Sequence, residues 1–454
     1  MVLFLILFAL FGAYSSNALP GGNSSTDFIN TNYPLFQDVH LMTLIGMGFI
    51  MVFLRRYGLA APSINLLLTA LVIQWALIIR GFLSQEFADT GRFTISITDM
   101  ITADFSAITV LITMGAVLGK LTPTQYLVMA AIEVPVAIAV EHFVLNYLKA
   151  IDIGRAMLVH CFGAYFGLAV AKLFNRKEMV GHQHDGSSYN SSIFAMIGTL
   201  FLWAFFPSFN SALAVPEDSR HRAILNTYLA LCSSTICTFL LSQLFDREHK
   251  YRFSMMHIMN SVLAGGIAIG TVANIISEPF YALLIGCLGA LVSIIGNNYI
   301  RPISARALKI HDTRGVGAFH GLPGILAGIL GFVFTIVYEP ARYGTKNATQ
   351  IYSAMANKNG ENREVFVQAG YQLAALATVL IVSVITGAIT GLILRLSCLN
   401  RIHDKEYYSD GEFIEPPEDY DFTTRIISKI DHIELTEHTA LTSKESPALT
   451  SGNP

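Results

Sequence analysis

Two stretches of this 454-residue chain set an aspartate and a histidine at one spacing: Asp152-Ile-Gly-Arg-Ala-Met-Leu-Val-His160 and Asp312-Thr-Arg-Gly-Val-Gly-Ala-Phe-His320. Each continues into an apolar run containing glycine and aromatic residues. An imidazole donates and accepts hydrogen bonds and titrates near neutral pH, so a pair can hold a small polar molecule or pass a proton. Eight helical residues rise about 12 Å, which sets each aspartate near a membrane face and its histidine deep in the apolar layer. A lone buried histidine is most simply a packed ring bonded to a carbonyl. Two in the same register, His160 and His320, read instead as one site. No third Cys, His or carboxylate shares that register, and a metal needs three or four protein ligands, so neither metal nor cofactor is expected.

The remaining polar and aromatic candidates carry plainer readings. Asp152 and Asp312 stand where a carboxylate caps free helix amides, a role that ranks ahead of direct substrate contact. Glu141, near the outer end of a span, reads equally as a cation attractor and as a surface residue at a helix end. Phe105 and Phe209 read singly as packing, His182, His184 and Asp185 as solvated loop residues, and Gly265 with Gly266 as close helix contact.

The elements that must position these residues are membrane helices. Hydrophobic residues make up 53% of the chain and charged residues 13%, about half the charge of a soluble domain. A net charge of -3 without a basic patch excludes a nucleic-acid binder. The five cysteines lie mostly in apolar runs without paired spacing, so no disulfide framework is implied. Apolar segments of spanning length recur at 39–54, 59–81, 98–119, 123–145, 153–174, 193–214, 222–245, 254–275, 279–295, 315–338 and 367–396. The opening run Val2–Tyr14 is either a cleaved signal or a first span, giving eleven or twelve transmembrane helices in an all-α polytopic fold. Residues 1–38 form this segment and an outer loop, 39–398 the transmembrane domain, and 399–454 a solvated, largely disordered tail.

Basic residues orient the chain. Arg55, Arg56, Lys120, Lys172, Arg176, Lys177, the Asp246–Arg252 stretch, Arg301, Arg306 and Lys309 fall on one side, with Arg220, Arg222 and the 342–363 loop as exceptions, and the positive-inside rule makes that side cytoplasmic along with the C-terminus. The sequons at Asn23 and Asn347 then lie outside as glycosylation candidates, and that at Asn190 lies inside. The helix after Asp152 runs inward and that after Asp312 runs outward, so the two units are related by an in-plane pseudo-twofold and their histidines meet near mid-depth.

Several longer stretches resemble the Rh glycoprotein branch of the ammonium transporter superfamily. They are His160-Cys-Phe-Gly-Ala-Tyr-Phe-Gly-Leu168, Met196-Ile-Gly-Thr-Leu-Phe-Leu-Trp203, Pro207-Ser-Phe-Asn-Ser-Ala212, Leu225-Asn-Thr-Tyr228, Leu263-Ala-Gly-Gly266, Ile310-His-Asp-Thr313 and His320-Gly-Leu-Pro-Gly324. The resemblance implies an inverted-repeat ammonium transporter fold in the plasma membrane, assembled as a homotrimer with one narrow apolar pore per subunit. It implies a hydrogen-bonded pair at His160 and His320, stacked phenylalanines at Phe105 and Phe209, and acidic residues at Asp152, Asp312 and an outer Glu141. It also favours retention of the opening helix. Arg155, Arg314 and Gly317 depart from the family's usual residues.

A dry pore admits a small neutral base far more readily than an ion. The expected function is recruitment of ammonium and conduction of neutral ammonia, with methylammonium or carbon dioxide as further permeants. The alternative is a membrane scaffold whose tail binds a cytoplasmic adaptor. Retention of both histidines favours transport, and an enzyme is not expected.

Overall fold

The computed structural model describes residues 1–21, 26–245, 252–338, 350–356, 362–400, 402 and 406–415. Ten helices among them are long and apolar enough to cross a bilayer. These are α2 (Phe28–Phe53), α3 (Ala60–Phe82), α4 (Ile97–Ala116), α5 (Pro123–Tyr147), α6 (Ala156–Phe174), α7 (Tyr189–Ser211), α8 (Glu217–Phe245), α10 (Pro279–Leu308), α11 (Gly317–Val337) and α12 (Val365–Leu394). Two shorter apolar helices, α1 (Val2–Phe11) and α9 (Met255–Gly270), complete the series.

The expected single span over 254–275 is shorter and interrupted. It consists of helices Met255–Ser261 and Ala264–Gly270, joined by three-residue turns from Leu263 N–H to Asn260 O and from Gly266 N–H to Leu263 O. The second piece packs tightly against its neighbours. A Cβ at Gly265 would lie 2.5 Å from Ala230 O and 3.0 Å from Gly286 Cα, so α8 and α10 approach closely enough to exclude any side chain. This is the close packing anticipated for Gly265 and Gly266.

The opening segment forms a helix of 10 residues. That length rises about 15 Å, half of a bilayer core, so α1 is a half-length helix and not a full span. It lies against α3, with Phe4 stacked on Trp75 at 5.8 Å and Phe11 edge-on to Phe82 at 5.4 Å. A parallel ladder pairing β1 (Gly12–Tyr14) with β2 (Phe93–Ile95) ties its end down.

Cross-links between loops identify the two faces of the bundle. On one, Arg55 N–H bonds Gly186 O, Lys172 Nζ bonds Leu308 O at 2.8 Å, and Asn175 Nδ2 bonds Lys309 O at 2.6 Å. On the other, Gln368 Nε2 bonds Lys149 O at 2.9 Å, Arg363 Nη1 bonds Leu148 O at 2.6 Å, and Gly154 N–H bonds Gly270 O. The basic set that orients the chain gathers on the first face.

The tail departs from the solvated state expected from residue 399, since its first part returns to the bundle. Ile402, Tyr407, Tyr408 and Asp410 are buried. Tyr408 N–H bonds Gly119 O, at a glycine with φ 73° where a Cβ would strike the Tyr408 ring. Asp410 Oδ1 accepts Ala60 N–H at 2.6 Å and Leu59 N–H at 3.2 Å, capping α3 from 350 residues away. Composition understates such a segment because two aromatic rings and one cap suffice to dock it. Asn23, Asn347 and residues 416–454 lie outside the described residues, so the glycosylation and adaptor expectations have no structural counterpart here.

Inside the bundle, Thr113 Oγ1 lies 2.5 Å from Glu133 Oε1 and 2.8 Å from Gly163 O. A hydroxyl has one proton for two acceptors, so both contacts are hydrogen bonds when Glu133 is a neutral acid donating to Thr113. The pair staples α4, α5 and α6. Asp410→Ala is expected to lower stability by about 0.5–2 kcal/mol, the usual worth of a cap, with Asp410→Asn losing less. Thermal unfolding in detergent measures this, and an unchanged midpoint for Asp410→Ala would remove the capping role.

Candidate transport site

The pore histidines owe their placement to two carboxylate turns. Asp152 Oδ2 accepts the amides of Met157 at 3.0 Å and Leu158 at 2.9 Å, and Oδ1 accepts the Thr271 hydroxyl at 2.7 Å. Asp312 Oδ1 accepts Gly315 N–H at 2.9 Å and Val316 N–H at 3.0 Å, and Oδ2 accepts Gly317 N–H at 2.9 Å. Both residues are buried and occupied as caps, as their position before an apolar helix suggested. A helix end inside apolar surroundings leaves costly orphan amides, and these carboxylates satisfy them. Burial pushes the Asp152 carboxyl above the usual range, against the pull of Thr271, Leu158, Arg155 and Met157.

Each capped turn is also latched to the end of a helix in the other repeat. Gly154 N–H bonds Gly270 O at the end of α9, while Thr313 and Arg314 N–H bond Ala116 O and Gly115 O at the end of α4. Both pore helices then open with π-helical turns, Ala156–Cys161 and Gly317–Gly321, that carry the histidines. Small residues permit the approach. A Cβ at Gly324 would lie 2.9 Å from Ala156 O and 2.9 Å from Cys161 Cβ.

The two histidines meet. His160 Nδ1 lies 3.1 Å from His320 Nδ1, with ring centroids 5.4 Å apart and planes within 6°. Between neutral rings one Nδ1 must donate and the other accept. The donor ring then has a bare Nε2 and the acceptor ring an Nε2–H, so the pair offers one acceptor and one donor. His160 Nε2 is buried with no hydrogen-bond partner among the described residues. Phe105 and Phe209 continue the line, with centroids 4.4 Å apart, and Phe209 lies edge-on to His160 at 5.6 Å. Phe206, which the sequence reading passed over, stacks on His160 at 5.8 Å and 18°. It lies three residues before Phe209, one helical turn away on the same face.

Glu141 lies between two arginines. Its Oε2 lies 2.6 Å from Arg80 Nη2 and its Oε1 3.3 Å from Arg155 Nη2. Arg80 Nη2 also donates to Ser106, beside Phe105, at 3.1 Å. Arg314 donates from Nε to Ile50 O at 3.1 Å, with its guanidinium 4.7 Å above the Phe53 ring.

The loop polar residues are engaged instead of solvated. Asp185 Oδ2 lies 3.0 Å from His311 Nε2, Tyr408 OH lies 3.3 Å from His311 Nδ1, and the His182 ring lies 5.7 Å from that of Tyr408. Buried Lys120 donates to Ala116 O at 3.2 Å and to His311 O. Burial pushes its ammonium down to about 7, opposed by Asp312 and Asp185. Burial likewise lowers His311, with the Lys120 charge acting in the same sense.

A mostly helical bundle of apolar spans in which phenylalanines pack beside a paired imidazole is the architecture of a membrane channel for a small polar molecule. The chain belongs to the Ammonium Transporter Family, whose model matches residues 1–408. It is 39% identical over 428 residues to the ammonium transporter Rh type C-like 2 of Danio rerio, covering 91% of this chain and 86% of the relative. It is 40% identical over 427 residues to the ammonium transporter Rh type A of Bos taurus, covering 92% and 93%. Among solved structures it is similar to Nitrosomonas europaea Rh50, with a TM-score of 0.69, 31% identity, and coverage of 91% of this chain and 100% of that one. These relatives place it in the Rh branch of a family of transporters, not enzymes.

Because each aspartate is occupied as a cap, Asp152→Ala and Asp312→Ala are expected to lower the yield of assembled protein more than the flux per assembled molecule. The loss is about 0.5–2 kcal/mol each. Size-exclusion yield compared with flux per reconstituted protein separates the effects. A well-assembled variant without flux would make the carboxylate a direct participant.

Proposed function

We propose that this chain recruits ammonium at the face bearing Phe105 and Phe209 and conducts neutral ammonia past His160 and His320. The observation that carries the reading is the buried, unpartnered Nε2 of His160 in a ring already bonded to His320. A buried nitrogen without a partner costs free energy, and an ammonia molecule that donates to it removes that cost.

The apolar surroundings select the species. Moving a full charge into such a passage costs several kcal/mol, whereas ammonia gives up only hydrogen bonds that the imidazoles largely replace. Phe105 and Phe209, both buried, shut water out of the approach, so ammonium must leave its proton at or before them. The acceptor and donor faces of the pair let ammonia donate to one ring and accept from the other. Exchange of both tautomers resets the pair without a net charge. Methylammonium enters as the larger analogue, and carbon dioxide fits the same apolar path by size and neutrality.

The working unit is a homotrimer in the plasma membrane, with one pore per subunit. The resemblance to the Rh branch supports this, as do exposed apolar residues such as Leu225, Ile236 and Leu240 along α8, which need lipid or a neighbouring subunit. The face gathering Arg55, Lys172 and Lys309 is cytoplasmic, together with the C-terminus, by the positive-inside rule. A scaffold role would leave the unpartnered histidine without a purpose.

Ammonia flux into reconstituted vesicles, followed by internal pH, tests the proposal. His160→Ala and His320→Ala are each expected to lower that flux about tenfold, the equivalent of one lost hydrogen bond of about 1.4 kcal/mol. Oligomer size should be unchanged. Wild-type flux in both variants at matched protein content would refute the histidine site.

A further inference from the structure

The mouth next to the phenylalanines holds two guanidinium groups around one free-standing carboxylate. Arg80 and Arg155 each take one oxygen of Glu141, at 2.6 Å and 3.3 Å. The side chains keep 22%, 11% and 14% of their surface for Arg80, Arg155 and Glu141, so the trio is close to solvent but largely enclosed. The other carboxylate nearby, Asp152, is spent on two amides and the Thr271 hydroxyl. A cation approaching Glu141 therefore meets two positive charges at contact range for one negative charge.

Arg155 is the member of the trio whose placement is least explained by helix packing. Its backbone is left-handed, with φ 54°, a conformation that glycine and asparagine adopt readily and arginine rarely does. Arg155 Nη1 donates to Asp152 O at 3.0 Å, and Arg155 O accepts the amide of Val159, adjacent to His160. The side chain thus bridges the first cap to the mouth carboxylate. Arg80, from α3, bonds both Glu141 and Ser106 and so anchors the trio beside Phe105.

We propose that Arg155 sets the cation affinity of this mouth: by pairing with Glu141 it lowers the affinity with which ammonium is recruited before the ion gives up its proton. The inference rests on the transport reading of the pore, and it names a specificity-determining residue whose guanidinium pairs with Glu141 while its backbone carbonyl takes the amides of Val159 and His160. Removing the guanidinium frees one oxygen of Glu141 and leaves Arg80 as its remaining guanidinium partner. The mouth then becomes a better site for ammonium or methylammonium.

The test uses the full chain in proteoliposomes and radiolabelled methylammonium at fixed pH. Arg155→Asn suits the left-handed backbone, and Arg155→Lys keeps the charge. KM should fall about three- to tenfold in Arg155→Asn and stay near wild type in Arg155→Lys, the range expected of a partly exposed charge contact. Glu141→Gln should raise KM more in the Arg155→Asn background than in the wild type, because there one carboxylate oxygen has lost its guanidinium partner. An unchanged KM in Arg155→Asn, or an equal effect of Glu141→Gln in both backgrounds, would overturn the inference. Thermal unfolding in methylammonium chloride against sodium chloride reads the mouth without transport. A methylammonium-specific stabilisation gained in Arg155→Asn supports the inference even if vesicles show no flux, an outcome that would instead defeat the conduction reading. Absence of that stabilisation overturns the inference.

Discussion

Two buried carboxylates hold the rest of this molecule in register. Asp152 and Asp312 each take the first amides of a helix that begins inside the bundle, where no water can serve them. With those amides satisfied, α6 and α11 can start at depth and carry a histidine eight residues after the carboxylate. Without the caps, each pore helix would leave orphan donors in apolar surroundings, at a cost comparable to the stability of the turn itself. The histidine contact of 3.1 Å is thus the product of two local turns related by the inverted repeat.

The latches explain why the repeat is interlocked. Gly270, from the second half, accepts the amide of Gly154 in the first, and Ala116, from the first half, accepts the amide of Thr313 in the second. Neither half can position its own histidine unaided. The broken α9 has a purpose in this scheme, since its end delivers Gly270 O and the Thr271 hydroxyl to the Asp152 turn. The docked segment around Tyr408 and Asp410 then fixes the loop after α4 that latches the second turn.

Most of the scaffold was legible because hydropathy is a local property. Ten of the eleven apolar stretches became long helices, the stretches 39–54 and 279–295 extending well beyond their apolar bounds to Phe28–Phe53 and Pro279–Leu308 and the others lying near theirs. The histidine pair was legible because duplication places the same two residue types at the same spacing twice. Features built from distant partners were not visible. Arg80 and Glu141 lie 61 residues apart, and nothing in either local sequence announces their pairing. Glu133 is one carboxyl within a long apolar run, and its pairing with Thr113 depends on the crossing of α4 and α5. The interruption of α9 falls inside a continuous apolar run, and the return of residues 406–415 runs against a polar composition. The Arg155 departure was noted as a local oddity, yet its consequence appears only when Glu141 stands beside it.

Only an uncharged molecule crosses the passage between Phe105 and His320 if the proposed conduction of neutral ammonia is right. Potassium and rubidium match ammonium in size and charge but have no proton to leave behind. The decisive measurement is rubidium uptake into proteoliposomes whose ammonia flux is monitored in parallel. The account predicts rubidium entry no faster than in protein-free vesicles and an ammonia flux undiminished by excess rubidium. Rubidium entry that scales with protein content would show that the bare cation crosses, and would contradict the claim.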